Sequence, residues 1–328
     1  MEREILISER REKKVVYTPE LCTGCGICSQ ICPKEAISLG LVGAVARGVI
    51  DELPIHINQE ECTTCVLCSR VCPFGALAMI VDGKKEVLDT YIKYGTKETT
   101  VDMASCKYCG LCAEACPVDA ISVERRISED GSLTFTGKVE IDGRKCIHCG
   151  WCSAVCPTKA ITVQKPFEGI FKLYIDRCRG CGTCVDVCPG DALFMPKGEF
   201  GELTDIIKHR LDACIFCGAC ANVCPNDAIK VQRTTIADTI EKKGALEKKI
   251  LQELEFRPTK AILKTYPERC HGCGNCAVAC PINSLSGENM TIEVENGTVC
   301  VINQENCRGC GTCIDACPVD AIELEGVK

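Results

Sequence analysis

Cysteine is the residue through which this chain can do chemistry. There are 33 cysteines in 328 residues, and 32 of them fall into eight copies of one run, C-x2-C-x2-C-x3-C-P. The copies begin at Cys22, Cys62, Cys106, Cys146, Cys178, Cys214, Cys270 and Cys307 with no defect in spacing, and only Cys300 is left over. Each run ends in proline, and those eight are more than half of the 14 prolines. Thiolates at i, i+3 and i+6 on a tight loop can reach three irons of one inorganic cube, while loop N–H groups point at its sulfurs. The fourth cysteine, four residues further on, faces away. The proline then denies the next N–H and turns the chain out of the loop. Such a ligand set suits reversible one-electron uptake by iron and sulfide.

The elements that position these loops can be read around them. First-cysteine separations are 40, 44, 40, 32, 36, 56 and 37 residues. The longest gap holds a charged, helix-like stretch, so runs six and seven are poor partners. Pairing outward from that break joins one with two, three with four, five with six and seven with eight; the other frame strands the first and last runs. The 32-residue gap between runs four and five is the shortest, and on length alone it also suits a pair. Short β-like segments precede the odd runs at 15–17, 99–101, 171–175 and 261–265. Others follow the even runs at 77–81, 161–163, 229–231 and 322–324. Turn residues flank hairpin-like strands between the runs of a pair, as at 131–141 and 290–302.

With these runs and strands in hand, each pair resembles a bacterial two-cluster ferredoxin, and the tandem is similar to an archaeal polyferredoxin. Eight runs in this length, with the stretch LGLVGAVARGV at 39–49, resemble the polyferredoxin subunits of formylmethanofuran dehydrogenases. The resemblance implies an α+β fold of four tandem bacterial-type two-[4Fe–4S] ferredoxin domains: 1–85, 86–167, 168–234 and 258–328, with a helical linker at 235–257. It also implies that the fourth cysteine of each run ligates the cluster of the other run in its pair. The eight [4Fe–4S] clusters would then be held by eight crossed sets. In the first domain these are Cys22, Cys25, Cys28 with Cys72 (site 1) and Cys62, Cys65, Cys68 with Cys32 (site 2). In the second they are Cys106, Cys109, Cys112 with Cys156 (site 3) and Cys146, Cys149, Cys152 with Cys116 (site 4). In the third they are Cys178, Cys181, Cys184 with Cys224 (site 5) and Cys214, Cys217, Cys220 with Cys188 (site 6). In the fourth they are Cys270, Cys273, Cys276 with Cys317 (site 7) and Cys307, Cys310, Cys313 with Cys280 (site 8).

Composition narrows the alternatives. Residues 1–14 carry nine charges and no apolar signal-peptide core, and no uncharged apolar run approaches the roughly 18 residues of a membrane span. An odd cysteine count sits badly with a complete disulfide framework. The expectation is a soluble, cytoplasmic, metal-rich protein without membrane partners. Thirty-eight basic against 45 acidic residues give −7, so no basic excess points to nucleic acid. Eight oxidised clusters of net −2 would take the holoprotein to about −23. Aromatic residues are only 5%, too few for several full hydrophobic cores. The GxG-like strings, such as TGCGIC at 23–28, sit inside ligand loops, and no nucleotide-binding strand–turn–helix is recognised.

Several residues invite a special role and also an ordinary one. Seven runs have glycine after the second cysteine, whereas run two has Val66, read as tolerated variation at that turn. Tyr108, Trp151 and Phe216 lie inside ligand loops, where packing accounts for them as well as an electron path. His148 and His271 are read as loop residues, since each run already supplies four thiols. Cys300 is read as a small buried hydrophobe on a strand. Ile236, Ile240, Leu246, Ile250 and Leu254 suggest an amphipathic helix over 236–256, as a docking surface or a packed linker. The charged segment 1–14 is read as a flexible or partner-contacting arm.

The function expected is therefore electron transfer without catalysis. Full cysteine coordination leaves no open iron for substrate. One 80-residue unit is about 30 Å across, so four end to end would span about 120 Å, against about 50 Å for one globule. A wire comes first and a reservoir second. By resemblance, the partners are a pterin formate dehydrogenase subunit and an amidohydrolase-like subunit, with a hydrogenase or heterodisulfide reductase as donor. The alternative is a hydrogenase-associated polyferredoxin or a free multi-electron carrier. A zinc or storage protein is disfavoured because zinc motifs pair two short C-x2-C elements across a longer gap.

Overall fold

Among the described residues, the helix inside each ligand run is short because the run cuts it at both ends. In all eight runs the residue after the second cysteine is left-handed, with φ between 69° and 96°. A helix of four or five residues starts there and carries the third cysteine, as in Ile27–Ile31, Trp151–Ala154 and Ala219–Val223. The fourth cysteine and its proline then end it. The computed structural model describes residues 3–4, 13–85, 99–127, 135–196, 206–236, 260–285 and 290–326.

Four antiparallel outer strand pairs close four repeats of one arrangement. Lys13–Tyr17 pairs with Leu77–Val81, and Thr99–Val101 with Ile161–Val163. Phe167–Leu173 pairs with Ile229–Ile236, and Ala261–Thr265 with Ile322–Gly326. Inside each repeat a hairpin links the two runs: Ile37–Leu39 with Ile55–Ile57, Ile121–Ile127 with Phe135–Ile141, Leu193–Phe194 with Lys208–His209, and Ile292–Glu295 with Thr298–Val301. The two short helices of each repeat pack on one another. Alternation along the strands explains the register, since Ala261, Leu263, Ile322 and Leu324 are buried while Ile262 and Glu323 face out.

Some segments differ from the sequence reading. The strand sought at 171–175 starts at Phe167 and ends at Leu173, where Tyr174 and the turn into run five take over. The strand sought at 229–231 continues to Ile236, two residues beyond 234, because Phe167–Leu173 offers it a longer partner. Segment 1–14 is not simply an arm: Arg3–Glu4 pairs with Val16 and Tyr17, and Lys13 and Lys14 belong to the outer strand. The helix sought at 236–256 lies, beyond Ile236, outside the described residues.

The repeats do not pack in chain order. The first hairpin carries an extra helix, Val42–Ala46, within the 39–49 stretch. Leu41 and Ala44 are buried in the core of the fourth repeat, with Ala261, Leu263, Ile292 and Ile322. Val42 belongs instead to a core shared with Val71, Cys149, Phe167, Cys184, Cys217 and Ala219 from the first three repeats. Arg47 donates to the carbonyl of Cys181 and pairs with Asp186 at 3.0 Å and Asp315 at 3.8 Å. One short insertion thus ties the first repeat to the third and fourth.

Two substitutions separate backbone strain from packing. Gly274 has φ 78° and nothing within 4 Å of an added Cβ. Gly274→Ala is expected to cost about 1 kcal/mol through the left-handed backbone alone, read as a lower denaturant midpoint of the intact protein. At Gly43 the backbone is ordinary, but an added Cβ would lie 2.6 Å from Thr183 Cγ2, and Thr183 is fully buried. Gly43→Val is expected to cost about 1–3 kcal/mol at this contact. Hydrogen exchange over 42–46 and 183–187 should then quicken by about tenfold or more while the outer strands of the second repeat stay protected.

Candidate metal centres

Each ligand loop needs two left-handed residues to wind around a central space. The first precedes the second cysteine, with φ between 50° and 67°: Gly24, Thr64, Tyr108, His148, Gly180, Phe216, Gly272 and Gly309. The second follows it. Glycine fills that position without strain in seven runs, while Val66 adopts the same conformation at φ 69° with a β-branched side chain. Val66 therefore keeps the turn and carries its strain.

The fourth cysteines cross over. Cys72 lines one pocket with Cys22, Cys25 and Cys28. Cys156 lines another with Cys106, Cys109 and Cys112. Cys224 shares a third with Cys178, Cys181 and Cys184. Cys188 shares a fourth with Cys214, Cys217 and Cys220. Elsewhere the same neighbours act on one another's thiols: Cys32 on Cys68, Cys116 on Cys149, Cys317 on Cys276, and Cys280 on Cys307. Among the described residues no three His, Cys, Asp or Glu side chains converge to hold a single metal ion. The thiols ring a space instead, which suits an iron–sulfide cube better than one tetrahedral zinc.

The surroundings fit such a group. Backbone N–H groups reach the sulfurs: Ala120 to Cys116 at 3.2 Å, Ala160 to Cys156 at 3.3 Å, Ala192 to Cys188 and Ala228 to Cys224 at 3.2 Å, and Ala321 to Cys317 at 3.3 Å. In each case a left-handed residue just before the alanine aims its N–H back: Asp119, Lys159, Asp191, Asp227 and Asp320. The buried hydroxyl of Thr23 has no hydrogen-bond partner in the protein, and the sulfur of Cys22 lies beside the Tyr17 hydroxyl. Burial, with neighbouring thiols adding to it, pushes Cys307 up to about 11 and Cys68 and Cys152 up to about 12. Thiols held this way stay protonated at neutral pH until a metal takes the proton's place.

Three junctions bring ligand loops of different repeats together. Asn222 donates to the carbonyl of Gly24 at 3.2 Å, and after burial Cys217 is the largest influence on Cys25. Cys310 plays the same part toward Cys181. Between the second and third repeats, the indole N–H of Trp151 donates to Gly190 O at 2.7 Å, and Arg210 lies 5.1 Å over the Trp151 ring. Arg233, only 3% exposed, donates to the carbonyl of Cys217 and lies 4.8 Å over Phe167. By contrast Cys65, Cys109 and Cys273 are exposed. No feature of the run itself distinguishes these junction cysteines from the exposed ones.

The singled-out residues find ordinary places, with one exception. Tyr108 and Phe216 pack their rings against Gly137 and Gly169, where an added Cβ would lie 2.8 Å and 3.0 Å away. His148 accepts or donates at 3.0 Å with Thr99 Oγ1. His271 is exposed. Cys300 lies half-buried on its strand, its thiol 3.6 Å from Glu293 O. Trp151 is the exception, because it bridges two repeats rather than covering its own site. Its partner is a backbone carbonyl 39 residues away, which no local pattern announces.

Comparison with known proteins agrees with this geometry. Models of the 4Fe–4S dicluster domain match residues 61–120, 105–160, 177–228 and 269–321, and related dicluster models match 21–77, 139–195 and 210–284. The matches span runs in both frames, so they identify the domain type and leave the pairing to the strands. Polyferredoxin protein FwdG of Methanocaldococcus jannaschii is 62% identical over 72 residues, 19% of this chain and 88% of that protein. One subunit of a tungsten-containing formylmethanofuran dehydrogenase 2 of Methanopyrus kandleri is 50% identical over 48 residues, 11% of this chain and 61% of that protein. A chain in the formate dehydrogenase–heterodisulfide reductase–formylmethanofuran dehydrogenase complex from Methanospirillum hungatei superposes with a TM-score of 0.63 at 36% identity. That match covers 75% of this chain and 86% of the other. The repeated thiol-ringed cavities and these relatives lead to one conclusion: the chain belongs to the 4Fe–4S dicluster domain family and is a polyferredoxin.

Proposed function

We propose that the chain holds eight [4Fe–4S] clusters in the eight crossed sets and carries low-potential electrons to a pterin formate dehydrogenase subunit. In this reading that subunit belongs to a CO2-reducing formylmethanofuran dehydrogenase with an amidohydrolase-like subunit, and a hydrogenase or heterodisulfide reductase serves as donor. The chain itself is non-catalytic. Its two-cluster domains are 1–85, 86–166, 167–236 and 258–328, with 237–257 between the third and the fourth. A [4Fe–4S] group supplies reversible one-electron uptake. The protein's part is to hold each set of thiols, aim N–H groups at the sulfurs and place neighbouring loops in contact.

The observation that carries the assignment is the 36% identity across 86% of a chain from a complex containing a formylmethanofuran dehydrogenase. The packing supports a branched conductor rather than a chain-order one. The third repeat meets the second through the Trp151 contact, the first through Cys25 and Cys217, and the fourth through Cys181 and Cys310. In this reading electrons enter and leave through sites 2, 3 and 7, a reading supported by the exposure of Cys65, Cys109 and Cys273.

Anaerobic purification from native cells tests the partners. A pterin-bearing formate dehydrogenase subunit with an amidohydrolase-like subunit is the expected company; a nickel–iron hydrogenase alone, or no partner, would overturn that assignment. Iron and sulfide should each reach about 32 per chain, with absorption bleached reversibly by dithionite. Cys32→Ala should remove or convert the cluster at Cys62, Cys65 and Cys68, leaving that at Cys22, Cys25 and Cys28 intact by site-resolved spectroscopy. The reverse pattern would rule out the crossing.

A further inference from the structure

Lys165 stands in the connection between the outer strand Ile161–Val163 of the second repeat and Phe167–Leu173 of the third. Its stem crosses the ligand loop of site 4, and a Cβ on Gly150 would lie 3.3 Å from its Cε. Its ammonium then reaches the entry to site 6. Nζ donates to the carbonyls of Asp212, of Cys214 at 3.0 Å and of Leu211 at 3.4 Å. These acceptors are neutral. Burial pushes the Lys165 ammonium down from its usual range, and Cys214, Cys149 and Asp212 oppose that shift. Arg47, the comparable cation at the third–fourth junction, is instead matched by Asp186 and Asp315. Lys165 is therefore a half-buried positive charge set between two ligand loops of different repeats.

We propose that Lys165 is a tuning residue that raises the reduction potentials of sites 4 and 6 together, so that the second and third repeats exchange electrons between matched sites. The inference rests on the cluster-bearing reading above. An added electron makes a site more negative, and a nearby cation away from bulk water stabilises that form. Acting on both loops, Lys165 lifts both sites and keeps neither as a barrier to the other. The step it serves is balanced within the chain: the one electron lost at site 4 is the electron gained at site 6. No proton moves, and the first electron comes from a low-potential one-electron donor protein.

Redox titration of the full-length, cluster-loaded chain followed by electron paramagnetic resonance tests this. In Lys165→Met two clusters should titrate lower, with the reduced-to-oxidised ratio at a fixed potential down about tenfold, or about 59 mV for one electron. Lys165→Arg should restore the wild-type midpoints, and Lys264→Met, at an exposed lysine on the outer strand of the fourth repeat, should leave these two clusters where they were. Lys165→Gln keeps a donor for the carbonyls without the charge, so it should behave as Lys165→Met with a full iron complement. Unchanged midpoints in Lys165→Gln with full iron would overturn the tuning role while leaving the clusters in place. Wild-type chain that binds iron yet shows no reducible cluster signal would overturn the underlying reading as well.

Discussion

Four thiols facing one enclosed space form the constraint on which the rest of this structure depends. Helices of four or five residues cannot stabilise themselves, because nucleation alone costs more than one turn returns. The strands are two to eight residues long, and most pair with only one neighbour. Among the described residues, the core of the second repeat gathers three buried ones, Ile121, Cys152 and Ile161. Cross-links through iron and sulfide would supply what side-chain packing lacks, and their binding free energy would then count toward the folding of each unit.

The backbone meets this demand with a fixed alternation of left-handed residues. Glycine fills the position after the second cysteine in seven runs, and the strained Val66 in the remaining one shows that the loop shape outranks residue preference there. The position before it is shared between glycine and larger residues. Where it is larger, the side chain is used: Tyr108 and Phe216 lie over strand glycines, and His148 reaches Thr99. In five runs a third left-handed residue after the proline turns an alanine N–H back to the fourth sulfur. The same short sequence thus wraps a site, crosses to its neighbour and neutralises part of the charge at both.

Between repeats a different logic operates. The insertion at 42–46 has no ligand, yet it places Leu41 and Ala44 in one core and Val42 in another. That contact, with Arg47, holds the third and fourth repeats against the first. Contacts at Asn222 and Trp151 complete a three-way meeting at the third repeat. At these meetings Cys25, Cys149 and Cys217 are buried and Cys181 and Cys310 half-buried, whereas Cys65, Cys109 and Cys273 are exposed. A tandem chain becomes a branched assembly because its surfaces, and not its linkers, decide which units touch.

The ligand runs, the repeat, the outer strands and the hairpin-like segments near 131–141 and 290–302 are legible in the chain, because these depend on spacing and alternation within about 80 residues. Its strand limits slipped where a partner set the length, as at Phe167 and Ile236. The frame of pairing was legible only indirectly, from the long gap between runs six and seven. The crossing of the fourth cysteines came from the family resemblance, and only the packed units show which sites are buried and which repeats meet. Such contacts join residues such as Gly24 and Asn222, or Arg47 and Cys181, that are more than 130 positions apart. Each rests on shape and one or two hydrogen bonds, and no periodicity in the chain encodes them. Eight runs of identical spacing acquire different surroundings only when the folded units are packed together.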